Sequence, residues 1–574
     1  MHARRPASVS ARVGAIPSPT TWRSGMAFVL LTLGFTLACV VLQLHVGAYS
    51  ADVGTGGDEA AHVVNGLLVY DYVRHGLFTN PMHFALRYYL HWPRVSIGHW
   101  PPLFYPFEAA AFLVGGRSIG SALALQALVA GSAAASAAWL IHRRIGWAAG
   151  LAAGLAVLAS PLLLFSVDLI MTDTALGLWM VAAALAWARF AHQPGVGRAV
   201  LFAACASGAI LTKGNGVALA LLPVIHAALA RDLAPLRDWR AWLAAALVGL
   251  VTAPWYVLTY RMMANGFVYS WGWRYTRLAV PFYLHAITTS LGVIGTIGFA
   301  IGLLGLVGRG TDRPFPTETS LAALVLALVV FQMLAPADLS ARYLIPIVPA
   351  GIVVAAQGFA RLARAVGLGR RSHRLHLAVA AALLLDAAGM FRMPHVTPYG
   401  MDAVAQAIIA AHDASNTVLA AGNDHAEGAL IAAFAIADPT QRFYVLRASQ
   451  ELATTNFMGS QYAPRFVSAA EVAHWLQGSG IGWLAIDLSP GSVALRHNRQ
   501  LLHALRSGNP EWRLVFHATG PRGEVRLYRL SGNPATSAQL RALLLRVAPP
   551  SLARRDDLVL PSAESSSDGS PTPR

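Results

Sequence analysis

The sequence predicts an all-α membrane protein: a polytopic helical bundle of about eleven spans with surface helices, followed by a small α/β domain. Three observations predict this. Of 574 residues, 56% are hydrophobic and only 12% are charged, and the mean hydropathy is +0.51. A water-soluble chain could not hide so much apolar surface. The apolar residues also gather into runs near the ~20 residues that a spanning helix needs, and most of these runs are separated by short arginine-bearing segments. Beyond Pro394 the pattern changes to short strand-like and helix-like stretches.

The formal net charge is +16, a balance that in a soluble protein would suggest nucleic acid. Here the arginines fall mostly between apolar runs, as they do at the cytoplasmic face of a membrane protein, so no nucleic-acid partner is expected. The two cysteines, Cys39 and Cys205, lie inside apolar runs and indicate neither a disulfide framework nor a zinc site.

Taken in order, residues 1–25 are polar, carry Arg4, Arg5, Arg12 and Arg23, and form a cytoplasmic N-terminal segment. The run 26–47 follows. Val46-Gly47-Ala48 loosely resembles a signal-peptide cleavage site, but the run exceeds the roughly 7–15 residues of a signal-peptide core, so an uncleaved span is favoured. Residues 48–119 then form a first outer loop with two helix-like segments. One is Glu59–Val73, opened by acids that suit a helix N-terminus. The other runs from Pro101-Pro102 to about Gly115; it is apolar but short, and is expected to lie along the membrane surface. Further spans are expected at 120–141, 147–167, 174–191, 199–212, 217–229, 241–259, 286–307, 320–335, 343–360 and 375–391, with a loop rich in Trp, Tyr and Arg at 261–285. Basic clusters such as His142-Arg143-Arg144 and Arg361 through Arg374 set the sidedness. The transmembrane domain is 26–394.

An odd number of spans puts the last domain, 395–532, outside. Strand-like runs at 417–421, 443–447, 482–487, 512–517 and 524–530 alternate with helix-like runs at 426–437, 469–477 and 497–506, an α/β pattern. It has no glycine-rich nucleotide motif. The tail 533–574 reads as disordered.

This topology brings Asp58, Glu59, His99, Asp168, Asp173, Lys213, Arg342 and Tyr343 to one face at membrane depth. Each has a plain structural reading. Asp58, Glu59 and Asp173 suit helix starts, Lys213 suits a snorkelling side chain, and Arg342-Tyr343 suits an interfacial anchor. His99 has no second histidine at ligand spacing. As a set they point elsewhere, because ionisable groups near a bilayer are costly and mark sites or pathways. A carboxylate can take a proton from an acceptor hydroxyl, and Lys and Arg can stabilise charge on a departing phosphate.

The chain resembles the polytopic GT-C superfamily glycosyltransferases, in the branch of the protein O-mannosyltransferases and lipid A aminoarabinose transferases (glycosyltransferase family 39-like). The pieces are Gly57-Asp58-Glu59, His99-Trp100-Pro101-Pro102-Leu103-Phe104-Tyr105, Thr172-Asp173-Thr174, Leu211-Thr212-Lys213-Gly214 and Arg342-Tyr343-Leu344-Ile345-Pro346. They span roughly residues 26–360. The resemblance implies an inverting transferase that uses a polyprenyl-monophosphate sugar donor on the outer side of the membrane. Asp58 would be the general base with Glu59 in support, and Lys213 and Arg342 would hold the phosphate. His99, Asp173 and Tyr343 are further site candidates. The resemblance implies no nucleotide sugar, no cofactor and no obligatory metal. At His99-Trp100 the chain departs from relatives that carry an acid or a lysine before the paired prolines. The 395–532 domain does not match the carbohydrate-binding modules of eukaryotic mannosyltransferases, so lipid, glycan and protein acceptors all stay open.

Two other classes compete. A transporter or flippase should show internal repeats and charges in broken mid-membrane helices. A non-catalytic scaffold would use only the outer domain. The Ala- and Arg-rich composition suggests a high-GC bacterium, which would place the protein in the inner membrane with its C-terminal domain periplasmic or extracellular.

Overall fold

The computed structural model describes residues 22–54, 56–96, 98–264, 268–307, 316–369, 372–455, 462–506, 512–530 and 533–547. Most of the expected N-terminal segment and the end of the tail lie outside the described residues.

Helix α1 (Trp22–His45) leads into a loop that carries α2 (Glu59–Asp71), α3 (Pro81–His91) and α4 (Phe104–Gly115). The bundle continues with α5 (Ile119–His142), α6 (Trp147–Ala159), α7 (Pro161–Val167), α8 (Asp173–His192) and α9 (Val196–Thr212). A 3₁₀ segment, Gly214–Ala220, leads to α10 (Leu222–Ala230), the short α11 (Ala234–Arg237) and α12 (Trp239–Ala264). Then come α13 (Trp273–Leu291), α14 (Val293–Val307), α15 (Pro316–Leu334), a 3₁₀ turn at Ala341–Ile347, α16 (Val348–Ala365) and α17 (His373–Met390).

Every expected apolar run falls on a helix, but the count of full spans is smaller. Among the described residues, six helices are long and apolar enough to cross a membrane, or eight if each of two bent pairs is one span. The three remaining runs are 199–212, 217–229 and 375–391. The first two lie on the short apolar helices Val196–Thr212 and Gly214–Ala230, and the third on α17, which carries His373, Arg374, His376 and Asp386. The run 286–307 is not one straight span. The chain bends by 106° between α13 and α14, where Gly292 takes a left-handed φ of 75° that only glycine adopts freely. Much of the expected loop 261–285 is therefore helical. Small residues let the bundle close tightly: a Cβ on Gly358 would lie 1.9 Å from the Gly298 carbonyl oxygen, the close approach that glycine allows between membrane helices.

The last domain begins with α18 (Met401–Ala410). Its strands are β1 (Thr417–Ala421), β2 (Tyr444–Arg447), β3 (Ala453–Thr454), β4 (Ala463–Pro464), β5 (Trp483–Asp487), β6 (Arg513–Gly520) and β7 (Gly523–Arg529). Five of them form one sheet in the order β2-β1-β5-β7-β6. β1 is parallel to β2 and β5, while β7 is antiparallel to β5 and β6. Helices α19 (Asp424–Ala437), α20 (Ala448–Glu451), α21 (Ala469–Ser479), α22 (Pro490–Val493) and α23 (Arg496–Arg506) connect them. A final helix, α24 (Ser537–Val547), occupies the first part of the stretch 533–574 that was expected to be disordered, with Leu543 and Leu544 buried in the domain core; residues 548–574 lie outside the described residues.

This domain packs directly against residues 48–119. One apolar core joins Val53, Val63 and Trp92 to Tyr399, Leu430 and Phe434. The Asp52 carboxylate accepts the backbone N–H of Tyr399 and of Met401, each at 2.7 Å. His425 Nδ1 lies 2.9 Å from the Gly54 carbonyl oxygen. The guanidinium of Arg94 donates to the Asp424 carbonyl, and that of Arg117 to the Ala435 carbonyl.

Candidate active site

Four chain segments end at one place. The N-termini of α2 and α8 bring acids, the C-terminus of α9 brings Lys213, and the 3₁₀ turn before α16 brings Arg342 and Tyr343. The polarity suits them: helix N-termini favour carboxylates and C-termini favour cations.

Asp58 is the N-cap residue of α2, yet its side chain makes no capping hydrogen bond. It instead accepts a 2.7 Å hydrogen bond from Arg342 Nη2, with both side chains about one quarter exposed. Asp173 makes no cap either; both of its oxygens accept from Lys213 Nζ, at 2.7 and 2.8 Å. This second pair is buried, with side-chain exposures of 10% for Lys213 and 1% for Asp173. Lys213 therefore does not snorkel. Tyr343 joins the pairs: its ring centroid is 5.3 Å from Lys213 Nζ and 5.5 Å from Arg342 Cζ, within cation–π range of both. The paired-proline corner is tied to the same place, because the Leu103 N–H donates to the Leu211 carbonyl at 2.9 Å.

Electrostatics separate the two acids of Asp58-Glu59. Burial opposes the charge of Asp58, but the nearby cations, Arg342 first and Lys213 with it, outweigh it and hold its carboxyl below the usual range. Glu59 points elsewhere. It accepts backbone N–H groups from Gly54 at 3.0 Å, Gly56 at 3.4 Å and Ile170 at 3.2 Å, and burial pushes its pKa up to about 7 despite these bonds. Glu59, expected to support Asp58, thus ties the loop before Asp58 to the segment before α8 through these backbone bonds.

The Glu59 shift fixes the sign of a pH effect. Its folded pKa lies above the ~4.3 of a free glutamate, so its contribution to stability is fully present below that value and is lost as pH rises through about 7. Unfolding temperatures measured from pH 5 to pH 8 should fall, and Glu59→Gln should remove part of that slope. An identical slope in the variant would contradict the assignment.

His62 is a site residue that the sequence reading missed, although it stands four residues, one helical turn, after Asp58. It is buried, its ring lies 4.7 Å from Trp100, and its Nδ1 is 3.1 Å from the Tyr105 hydroxyl. Burial pulls its pKa down to about 4, although Asp58 opposes this, so it is a neutral imidazole near pH 7. His99 is at the same corner, likewise lowered to about 4 by burial against the charge of Asp58. Asp168 is not part of the ion-pair network; among the described residues its carboxylate has no hydrogen-bond partner. No group of three or more His, Cys, Asp or Glu side chains that could hold a metal occurs among the described residues.

No protein-family model matches the chain, and no curated protein sequence does. Solved structures do. ArnT from Cupriavidus metallidurans in the apo state is similar at 15% identity and a TM-score of 0.51, over 88% of this chain and 98% of that one. The same protein bound to undecaprenyl phosphate is similar at 16% identity and a TM-score of 0.52, with the same coverage. A weaker likeness, at 13% identity and a TM-score of 0.49, is to the Archaeoglobus fulgidus oligosaccharyltransferase in the apo form, over 89% of this chain and 75% of that one. With nearly all of ArnT matched, the chain carries the fold of that protein.

Proposed function

We propose that this protein is an inverting glycosyltransferase that moves a sugar from a polyprenyl-monophosphate donor to a hydroxyl acceptor on the outer side of the inner membrane. The observation that carries this reading is the paired network Asp58–Arg342 and Asp173–Lys213, joined through Tyr343. The likeness to a fold solved with undecaprenyl phosphate supports it. The lipid-linked sugar is a substrate, and the reading calls for no cofactor.

In this reaction the acceptor oxygen attacks the anomeric carbon from the face opposite the phosphate. The bond from that carbon to the phosphate oxygen breaks, and its electron pair leaves with the phosphate. Asp58 takes the acceptor's proton. The network suggests how the base is released. Without donor, Arg342 rests on Asp58 and depresses its basicity. An arriving phosphate competes for the guanidinium, which binds phosphate as readily as carboxylate. As Arg342 turns to the phosphate, Asp58 loses its largest stabilising charge and becomes a stronger base. Lys213, held by Asp173, supplies a second cation with little reorganisation.

The reading is tested by incubating purified protein with a synthetic polyprenyl-phosphate sugar and native membrane extract, and by identifying co-purified polyprenyl phosphate by mass spectrometry. No bound polyprenyl phosphate and no transfer would overturn it. Lys213→Ala should mainly raise the apparent donor KM, with acceptor KM little changed; an unaltered donor KM would remove Lys213 from phosphate binding.

A further inference from the structure

A mostly apolar cavity with an acid in its wall lies next to the segment that precedes α8, and the proposed transfer reaction makes no use of it. It measures about 200 Å³, is open on one side, and is lined by the end of α7, the segment after it and the linker that leaves α17. Asp168 lines it, 5% exposed, and among the described residues neither carboxylate oxygen has a hydrogen-bond partner. Leaving a buried carboxylate without a partner is costly. Opposite it the linker contributes Arg392 and His395. The Arg392 Nη1 donates to the Gly389 and Phe391 carbonyls; its Nε and Nη2 make no hydrogen bond among the described residues. The remaining lining is apolar and includes Leu164, Phe165 and Met393, of which Phe165 and Met393 are 43% and 40% exposed.

An acid and a guanidinium in one cavity match a zwitterion. The cavity lies where the bent span α6–α7 ends and the chain leaves α17, and the end of a span is where lipid headgroups are met. The volume falls below the ~300 Å³ of ordinary small-molecule sites and suits a headgroup rather than a whole sugar lipid. We propose that this cavity binds an amine-bearing phospholipid headgroup, with its ammonium on Asp168, its phosphate on Arg392 and His395, and its acyl chains along Phe165 and Met393. Burial pushes the Asp168 carboxyl up to about 7; an ammonium at contact distance restores its charge. The site adjoins the catalytic loop. Leu169, also in the cavity wall, lies 3.4 Å from where a Cβ on Gly56 would stand, and the next residue's N–H is the Ile170 bond to Glu59. A lipid seated here would steady the segment that holds Glu59.

The test uses full-length protein in nanodiscs of equal phosphatidylethanolamine and phosphatidylglycerol, with retained lipid counted by native mass spectrometry. Phosphatidylethanolamine should be retained about tenfold over phosphatidylglycerol, the size of one charge-assisted hydrogen bond. Asp168→Asn should bring the ratio to one, and Arg392→Gln, a surface change, should lower retention of both lipids alike. Equal retention by the unaltered protein overturns the proposal, even if Asp168→Asn fails to fold. Displacement of the lipid by free phosphoethanolamine at comparable concentration overturns the lipid assignment in favour of a soluble ligand.

Discussion

Asp58→Asn should lower the transfer rate by about 10²–10⁴-fold, the usual range for loss of a general base, while the protein stays folded and inserted. The amide keeps the volume of the carboxyl and one oxygen that can accept from Arg342, now bonded at 2.7 Å. Arg342 is about one quarter exposed, so its charge is not stranded in a dry interior. Donor binding should survive, because Asp58 is acidic and sits on the cation that the phosphate would take. Initial rates with a labelled donor, together with size-exclusion profiles and unfolding temperatures, give the necessary pair of measurements. Full activity in Asp58→Asn would remove Asp58 from the chemistry. Lost activity together with lost folding would leave the ion pair a structural one.

Arg342→Ala carries the second large effect, about 10²–10³-fold in rate if one stabilising donor to the leaving group is removed. Its distinguishing mark is in the pH profile. Arg342 is the largest influence opposing burial at Asp58, so its removal raises the Asp58 pKa. A group with a depressed pKa keeps its charge as pH falls until that low value is reached. The unaltered donor-free enzyme should therefore keep its kcat/KM below the ordinary carboxylate range. In Arg342→Ala the acidic limb should move to higher pH, and activity should fall earlier on acidification. Arg342→Lys should keep the charge and part of this protection but lose the two-pronged geometry a guanidinium offers. An acidic limb that stays in place in Arg342→Ala would show that the two side chains do not interact in solution.

Much of the site was legible because a membrane makes polar residues conspicuous. Asp58, Asp173, Lys213, Arg342 and Tyr343 stand at the ends of apolar runs, where charge is expensive and its persistence needs a cause. The pairing was not legible: nothing in the sequence says that Lys213 chooses Asp173 while Arg342 chooses Asp58. Glu59 illustrates a different limit. Adjacent residues at a helix start point about 100° apart, so two neighbouring acids rarely serve one substrate, and the structure turns Glu59 onto backbone amides. His62, which the sequence reading missed, could have been found by reading the same geometry forward by one turn. The strands of the last domain were legible from their short apolar runs, whereas α24 was hidden by its polar neighbourhood despite leucines at 540, 543 and 544. The bend at Gly292 was hidden by apolar residues on both sides, since hydropathy records burial and not direction.

The contact between His425 and the Gly54 carbonyl joins positions 371 residues apart. During synthesis, the loop bearing Asp58 leaves the ribosome long before the helix that roofs it. No chain still being translated through its spans can have this loop in final form. The loop bearing Asp58 thus reaches its final form only after the chain has been made beyond His425.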